Sequence, residues 1–271
     1  MMSVLADKLK ANKAQGRKSL IVYITAGYPD METTQAAVLA AEAAGADLVE
    51  LGIPFSDPIA DGPVIQKAAV TSLAAGTTTR TTLELVRKLR SQSQLPLAFM
   101  TYINLILHHG PEAFARDCRD VGVDALIVPD LPPEESELLQ GPCDKYGIDL
   151  IAFIAPTSTA ERVALACRNA TGFIYCVSNT GVTGVRSVDY SAVAPTVELA
   201  RAVTDIPIAI GFGIGTPAAA REAARYADGV IVGSAVIQLL ESKNVAAVKN
   251  LIGSIRQELD REDTEHAANP K

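Results

Sequence analysis

A closed α/β barrel is the fold predicted by three features of this sequence. Eight short aliphatic runs recur along it, helix-period stretches separate them, and 271 residues suit one barrel domain spanning 1–271. In order, the runs are 20–25 (LIVYIT), 47–52 (DLVELG), 96–102 (PLAFMTY), 124–129 (DALIVP), 149–154 (DLIAFI), 172–177 (GFIYCV), 206–210 (IPIAI) and 228–232 (DGVIV). Helical stretches are predicted at 32–44, 78–91, 111–120, 134–146, 160–169, 191–203 and 217–226. Strict alternation argues for a parallel sheet, and eight units close it into a TIM (β/α)8 barrel. An open doubly wound sheet is the alternative. It calls for a GxGxxG turn after the first strand, where this chain has Thr25-Ala-Gly-Tyr-Pro29.

Each end of the chain, and two of its connections, add detail. Ser3 can cap a short N-terminal helix with Leu5 and Leu9 four apart on one face. Extended loops follow strands two (53–77) and six (178–190), on the barrel face where active sites are built. The polar stretch 261–271 (REDTEHAANPK) is expected to fray.

Composition narrows the function. Hydrophobic residues make up 48% and aromatics 5%, an aliphatic balance suited to parallel strands covered by helices. A net charge of −7 argues against nucleic acid or an anionic membrane as the main partner. No apolar run approaches the roughly 20 residues that span a bilayer, and the first residues lack the apolar region of a secretory signal. Cys118, Cys143, Cys167 and Cys176 show no CxxC pairing and read as reduced, buried small hydrophobes of a cytoplasmic protein. The three histidines, His108, His109 and His266, argue against a His-based metal site or a Ser-His-Asp triad.

The candidate chemistry lies in Leu48-Val-Glu-Leu-Gly-Ile-Pro-Phe-Ser-Asp-Pro-Ile-Ala-Asp-Gly-Pro63. Glu50 shares parity with Leu48, so both point inward if Leu48 fills the barrel. A carboxylate at that apolar mouth should have a raised pKa, which suits a group that both gives and takes a proton. A strand-end glutamate paired with Lys or Arg is the other reading, and position alone does not separate them. Asp61 follows in a loop stiffened by Pro54, Pro58 and Pro63. On its own, it reads more readily as the cap of a helix over 64–75.

Three glycine-containing turns follow the last three strands: Thr180-Gly-Val-Thr-Gly184, Gly211-Phe-Gly-Ile-Gly215 and Gly233-Ser234. Backbone N–H groups reach a phosphate closely where side chains are absent, and Gly233-Ser234 opens a short helix (AVIQLLES). With no Lys or Arg in the cradle, an anion would be held mainly by backbone donors.

The stretch LVELGIPFSDPIADGPVIQKA closely resembles the signature of tryptophan synthase α subunits. TAGYP, MTYIN, VPDLPPEE, APTST, VSNTGVTGVR, GFGI and VGSAV match the family pattern in order, so the resemblance covers about 20–240. It implies a lyase that splits indole-3-glycerol phosphate into indole and glyceraldehyde 3-phosphate. Glu50 and Asp61 match the catalytic pair: Glu50 would shuttle protons, and Asp61 would accept the indole N–H. Gly184, Gly213, Gly233 and Ser234 match phosphate-binding positions. Tyr23, Met100, Tyr102, Tyr175 and Phe212 fall where the family lines its indole pocket, and Thr183 matches the threonine of a mobile loop that closes onto Asp61. The resemblance implies no metal and no cofactor in this chain. It also implies a pyridoxal-phosphate β subunit as partner in an αββα heterotetramer that channels indole, with Asp57 and Pro58 near the interface. The strand-three turn departs from many relatives at Ile103-Asn-Leu105. A free-standing indole-3-glycerol phosphate lyase and a catalytically silent phosphate-binding barrel acting as a regulatory subunit are the alternatives.

Overall fold

A computed structural model describes residues 3–178 and 189–261. The chain begins with α1 (Val4–Ala14), β1 (Ser19–Thr25), α2 (Met31–Ala43), β2 (Leu48–Gly52), α3 (Pro63–Ala74), α4 (Thr79–Arg90) and β3 (Leu97–Met100). It continues through α5 (Ile103–His109), α6 (Pro111–Val121), β4 (Ala125–Ile127), α7 (Glu137–Tyr146), β5 (Asp149–Ile154), α8 (Ala160–Asn169) and β6 (Ile174–Val177). It closes with α9 (Ala194–Arg201), β7 (Ile208–Gly211), α10 (Pro217–Ala224), β8 (Gly229–Val232), α11 (Ser234–Leu240) and α12 (Val245–Leu259). The strands pair in parallel in sequence order, and β8 returns to β1 to close the barrel. All eight predicted strands are present, and no open doubly wound sheet forms.

Closure follows from the two-residue period of each strand. One set of side chains, among them Ile21, Leu48, Ala98, Ile127, Ile151 and Ile231, fills the barrel interior. The alternate set, such as Val22, Val49, Phe99 and Ile210, packs outward under the helices. Helix α1 joins the inner set: Leu5 and Leu9 are fully buried against it, and the Ser3 hydroxyl caps the helix by accepting the Ala6 N–H at 3.0 Å.

A repeated device holds the end where the strands begin. Asp47, Asp124 and Asp228 each stand just before a strand and accept an N–H from the strand preceding it: Leu20 (2.9 Å), Leu97 (2.8 Å) and Ile208 (3.0 Å). Each also receives an arginine, Arg17 (2.6 Å), Arg90 (2.8 Å) and Arg201 (3.3 Å) respectively. These contacts lie opposite the loops that follow the strands, leaving that face free for function.

The helix expected over 64–75 is present as α3 within the connection after β2, and two helices go beyond the predicted elements. One is α5, which precedes α6 after β3, the two separated by Gly110 at φ +91°. Helix α12 has no counterpart among the predicted elements, although Val248, Ile252, Ile255 and Leu259 carry helical spacing and are its buried face. Arg256 fastens it by donating to the Lys18 carbonyl (2.8 Å) and to Asp47 (3.4 Å). Among the described residues, no helix is long and apolar enough to cross a membrane.

Candidate active site

Strand β2 delivers the first acid. Glu50 lies two residues beyond Leu48 on the inner face and is 1% exposed. Among the described residues its Oε1 has no hydrogen-bond partner, and burial pushes its carboxyl up to about 8. No cation among the described residues contributes to that shift, which disfavours the paired strand-end reading.

The second acid comes from the loop after β2. Asp61 is 8% exposed, and Oδ2 accepts the Tyr102 hydroxyl at 2.9 Å. Burial raises its carboxyl to about 6, with the Tyr102 hydrogen bond pulling the other way. The helix-cap reading is corrected here: Gly62 is the N-cap of α3, no side chain caps it, and the Asp61 carboxylate is held by Tyr102 instead.

Tyr102 organises this loop from the end of β3. Its ring stacks on Phe55 with centroids 5.2 Å apart, and its hydroxyl accepts the Ala60 N–H at 3.1 Å while donating to Asp61. The adjacent Ile103 N–H donates to Asp130 Oδ1 at 2.9 Å, fixing the start of α5. Phe55 and Asp130 stand inside the motifs quoted above, but no local pattern marks their roles.

Two tyrosines line the mouth by occupying space that glycines leave open. Tyr23 pairs in register with Glu50, and its hydroxyl meets Thr25 Oγ1 at 3.2 Å. That hydroxyl lies 2.1 Å from where a Cβ on Gly52 would stand. Tyr175 stacks on Phe153 (4.9 Å) and meets Phe212 edge-on (6.5 Å), and its hydroxyl would be 2.2 Å from a Cβ on Gly211. Burial first, then nearby acids, pushes both phenols well above their ordinary range. Met100 and Phe212 are partly buried against the inner cluster.

The glycine turns after β7 and β8 sit side by side. Gly213 has φ +79°, follows Phe212 at φ +77°, and is exposed. Gly233 is the N-cap of α11, and Ser234 opens that helix, exposed. A Cβ on Gly215 would come 3.3 Å from the Ala235 Cβ, which shows how closely the two turns approach. Thr183 and Gly184 lie outside the described residues. All four cysteines are buried and unpaired, as expected, and no group of metal-ligating side chains gathers among the described residues.

Burial raises both carboxyls, Glu50 further than Asp61, and the Tyr102 hydrogen bond favours the ionised form of Asp61. Fold and site together describe a (β/α)8 barrel with two buried carboxyls at an apolar mouth and glycine turns beside them, the arrangement of a barrel enzyme whose groups suit acid–base chemistry.

Comparison with known proteins makes the family specific. The profile of the family described as "Tryptophan synthase alpha chain" matches residues 9–267. The chain is 48% identical over 252 residues to the tryptophan synthase alpha chain of Geobacter sp. (strain M21), covering 93% of this chain and 94% of that protein. It is also 48% identical over 262 residues to that of Synechococcus elongatus, covering 96% and 98%. Among solved structures, Mycobacterium tuberculosis tryptophan synthase aligns with a TM-score of 0.90 at 37% identity over 97% of this chain and 100% of that one. Tryptophan synthase subunit alpha from Legionella pneumophila aligns at 0.87 and 35% identity over 96% and 99%. The chain belongs to the tryptophan synthase alpha chain family, carbon–carbon lyases of tryptophan biosynthesis whose alpha reaction cleaves indole-3-glycerol phosphate.

Proposed function

We propose that this chain carries out the alpha reaction with Glu50 as the proton shuttle and Asp61 as the acceptor of the indole N–H. The observation that carries this reading is two buried carboxyls at one apolar mouth: Glu50, whose Oε1 has no partner among the described residues, and Asp61, held by the Tyr102 hydroxyl. A neutral Glu50 has a proton to give, and an ionised Asp61 can stabilise positive charge.

The cleavage is a retro-aldol step. Glu50 delivers its proton to indole C3, and the ring becomes a cation whose N–H strengthens its hydrogen bond to the Asp61 carboxylate. Glu50, now ionised, takes the proton of the side-chain hydroxyl as the C–C bond breaks. The bonding electrons return to the ring, indole and glyceraldehyde 3-phosphate form, and Glu50 ends neutral as it began. The dry mouth strengthens each of these charge contacts. Tyr23, Met100, Tyr102, Tyr175 and Phe212 form the indole pocket. Gly213, Gly233 and Ser234 offer backbone donors to the phosphate and so fix the substrate by a group remote from the reacting bond.

The same reading gives the chain a β-subunit partner in an αββα heterotetramer, with pyridoxal phosphate in the β subunit and none needed for these proton transfers. Exposure of Ile59 (82%), beside Asp57 and Pro58 on the segment that carries Asp61, supports docking there. The four unpaired cysteines suit a cytoplasmic setting.

An indole-release assay with indole-3-glycerol phosphate, run with increasing β subunit, tests the partner reading. The rate should rise several-fold and saturate near equimolar chains. High turnover by the chain alone with a flat titration would favour a free-standing lyase.

A further inference from the structure

We propose that Ser178 is a positioning residue for the phosphate end of the site, because its one hydroxyl proton is shared between two consecutive carbonyls of the turn after β7. Ser178 directly follows β6 and is 5% exposed. Its Oγ donates to the Gly211 carbonyl at 2.8 Å and the Phe212 carbonyl at 3.0 Å, and its N–H also reaches the Gly211 carbonyl at 3.2 Å. The inference rests on the reading of Gly213 and its neighbours as phosphate donors.

The turn needs such a clamp. Phe212 adopts φ +77° and Gly213 φ +79°, and only the second of these residues tolerates the left-handed region freely. Strand pairing ends at Gly211, so the sheet does not hold the Phe212 peptide. The Ser178 hydroxyl fixes the peptide planes on either side of Phe212. The ring is thereby set edge-on to Tyr175, and the orientation of the next N–H, that of Gly213, is set with it, in a turn whose Gly215 stands close to Ala235 of α11. Without the clamp, Phe212 relaxes toward an ordinary backbone conformation and the Gly213 N–H turns away. A residue serving stability alone would leave phosphate affinity unmoved.

A double-mutant cycle on the whole chain tests this, with the Kd of glycerol 3-phosphate by calorimetry and lyase kinetics as readouts. Glycerol 3-phosphate lacks the indole ring, so its Kd is insensitive to the Phe212 side chain as a pocket wall. Ser178→Ala should weaken its binding and raise KM for indole-3-glycerol phosphate about tenfold, with kcat within about threefold. In a Phe212→Gly background, where the left-handed turn needs no clamp, adding Ser178→Ala should change Kd less than about twofold. Unchanged Kd in Ser178→Ala, or an equal loss in both backgrounds, overturns the positioning role while wild-type binding stands. A wild-type chain with no affinity for glycerol 3-phosphate overturns the phosphate reading itself, and this proposal with it.

Discussion

The Tyr102 hydroxyl donates to the Asp61 carboxylate at 2.9 Å, and it is the named contact that opposes the effect of burial on that acid. Because the bond favours the ionised form, Tyr102→Phe should move the acid limb of kcat/KM, set by Asp61 near about 6, to higher pH. At pH 6 the loss should be about 3–10-fold, shrinking toward pH 8. An acid limb left in place would separate Tyr102 from the charge state of Asp61.

Glu50 also titrates against folding. Its folded carboxyl lies near about 8, raised by burial from 4.5, so the neutral form is the one the fold favours. Its contribution is therefore fully present below the unfolded pKa and is lost as pH rises through about 8. Glu50→Gln removes the titration. Its melting temperature should match wild type within about 2 °C at pH 5 and exceed it by about 2–8 °C at pH 9. Parallel stability curves for the two proteins would contradict a buried, raised Glu50.

Gly233 is expected to separate phosphate recognition from folding. A Cβ there would meet Tyr23 at 3.4 Å, an ordinary contact, so Gly233→Ala should fold. Its methyl group would stand at the anion's approach, raising KM for indole-3-glycerol phosphate about tenfold or more, against about twofold for an unphosphorylated analogue. Equal losses for both substrates would point to general damage of the pocket.

At the opposite end of the barrel, Asp124→Ala should lower stability by about 1–3 kcal/mol. Burial raises the Asp124 carboxyl despite the Leu97 N–H and Arg90, so its value lies in the donors it satisfies rather than in net charge attraction. Denaturant unfolding measures the loss. Indole release by the folded variant should stay within about twofold of wild type, since barrels place function at the other face. A large drop in kcat would contradict this division of labour.

Much of the architecture was legible because each strand is buried on both faces and so reads as an aliphatic run. The parity of Glu50 with Leu48 was enough to place its carboxyl inside. Other parts depend on contacts between residues far apart in the chain. Asp61 looks like a helix cap locally, and Tyr102, contributed by another strand end, decides otherwise. Gly52 and Gly211 resemble ordinary strand glycines, and their role is to leave room for Tyr23 and Tyr175. Helix α12 carried a readable apolar period, whereas its anchor, buried Arg256 against Asp47, joins residues more than two hundred positions apart.

The central claim is that the buried Glu50 carboxyl moves the protons of the cleavage. The most direct measurement is indole release from indole-3-glycerol phosphate by Glu50→Gln, alongside calorimetric binding of glycerol 3-phosphate to the same preparation. The amide keeps the size of the side chain but cannot shuttle a proton, so turnover should fall about 10²–10⁴-fold or more. Glycerol 3-phosphate should bind within about twofold of wild type, because the phosphate donors are separate from the acid. Turnover by Glu50→Gln close to that of wild type would contradict the account.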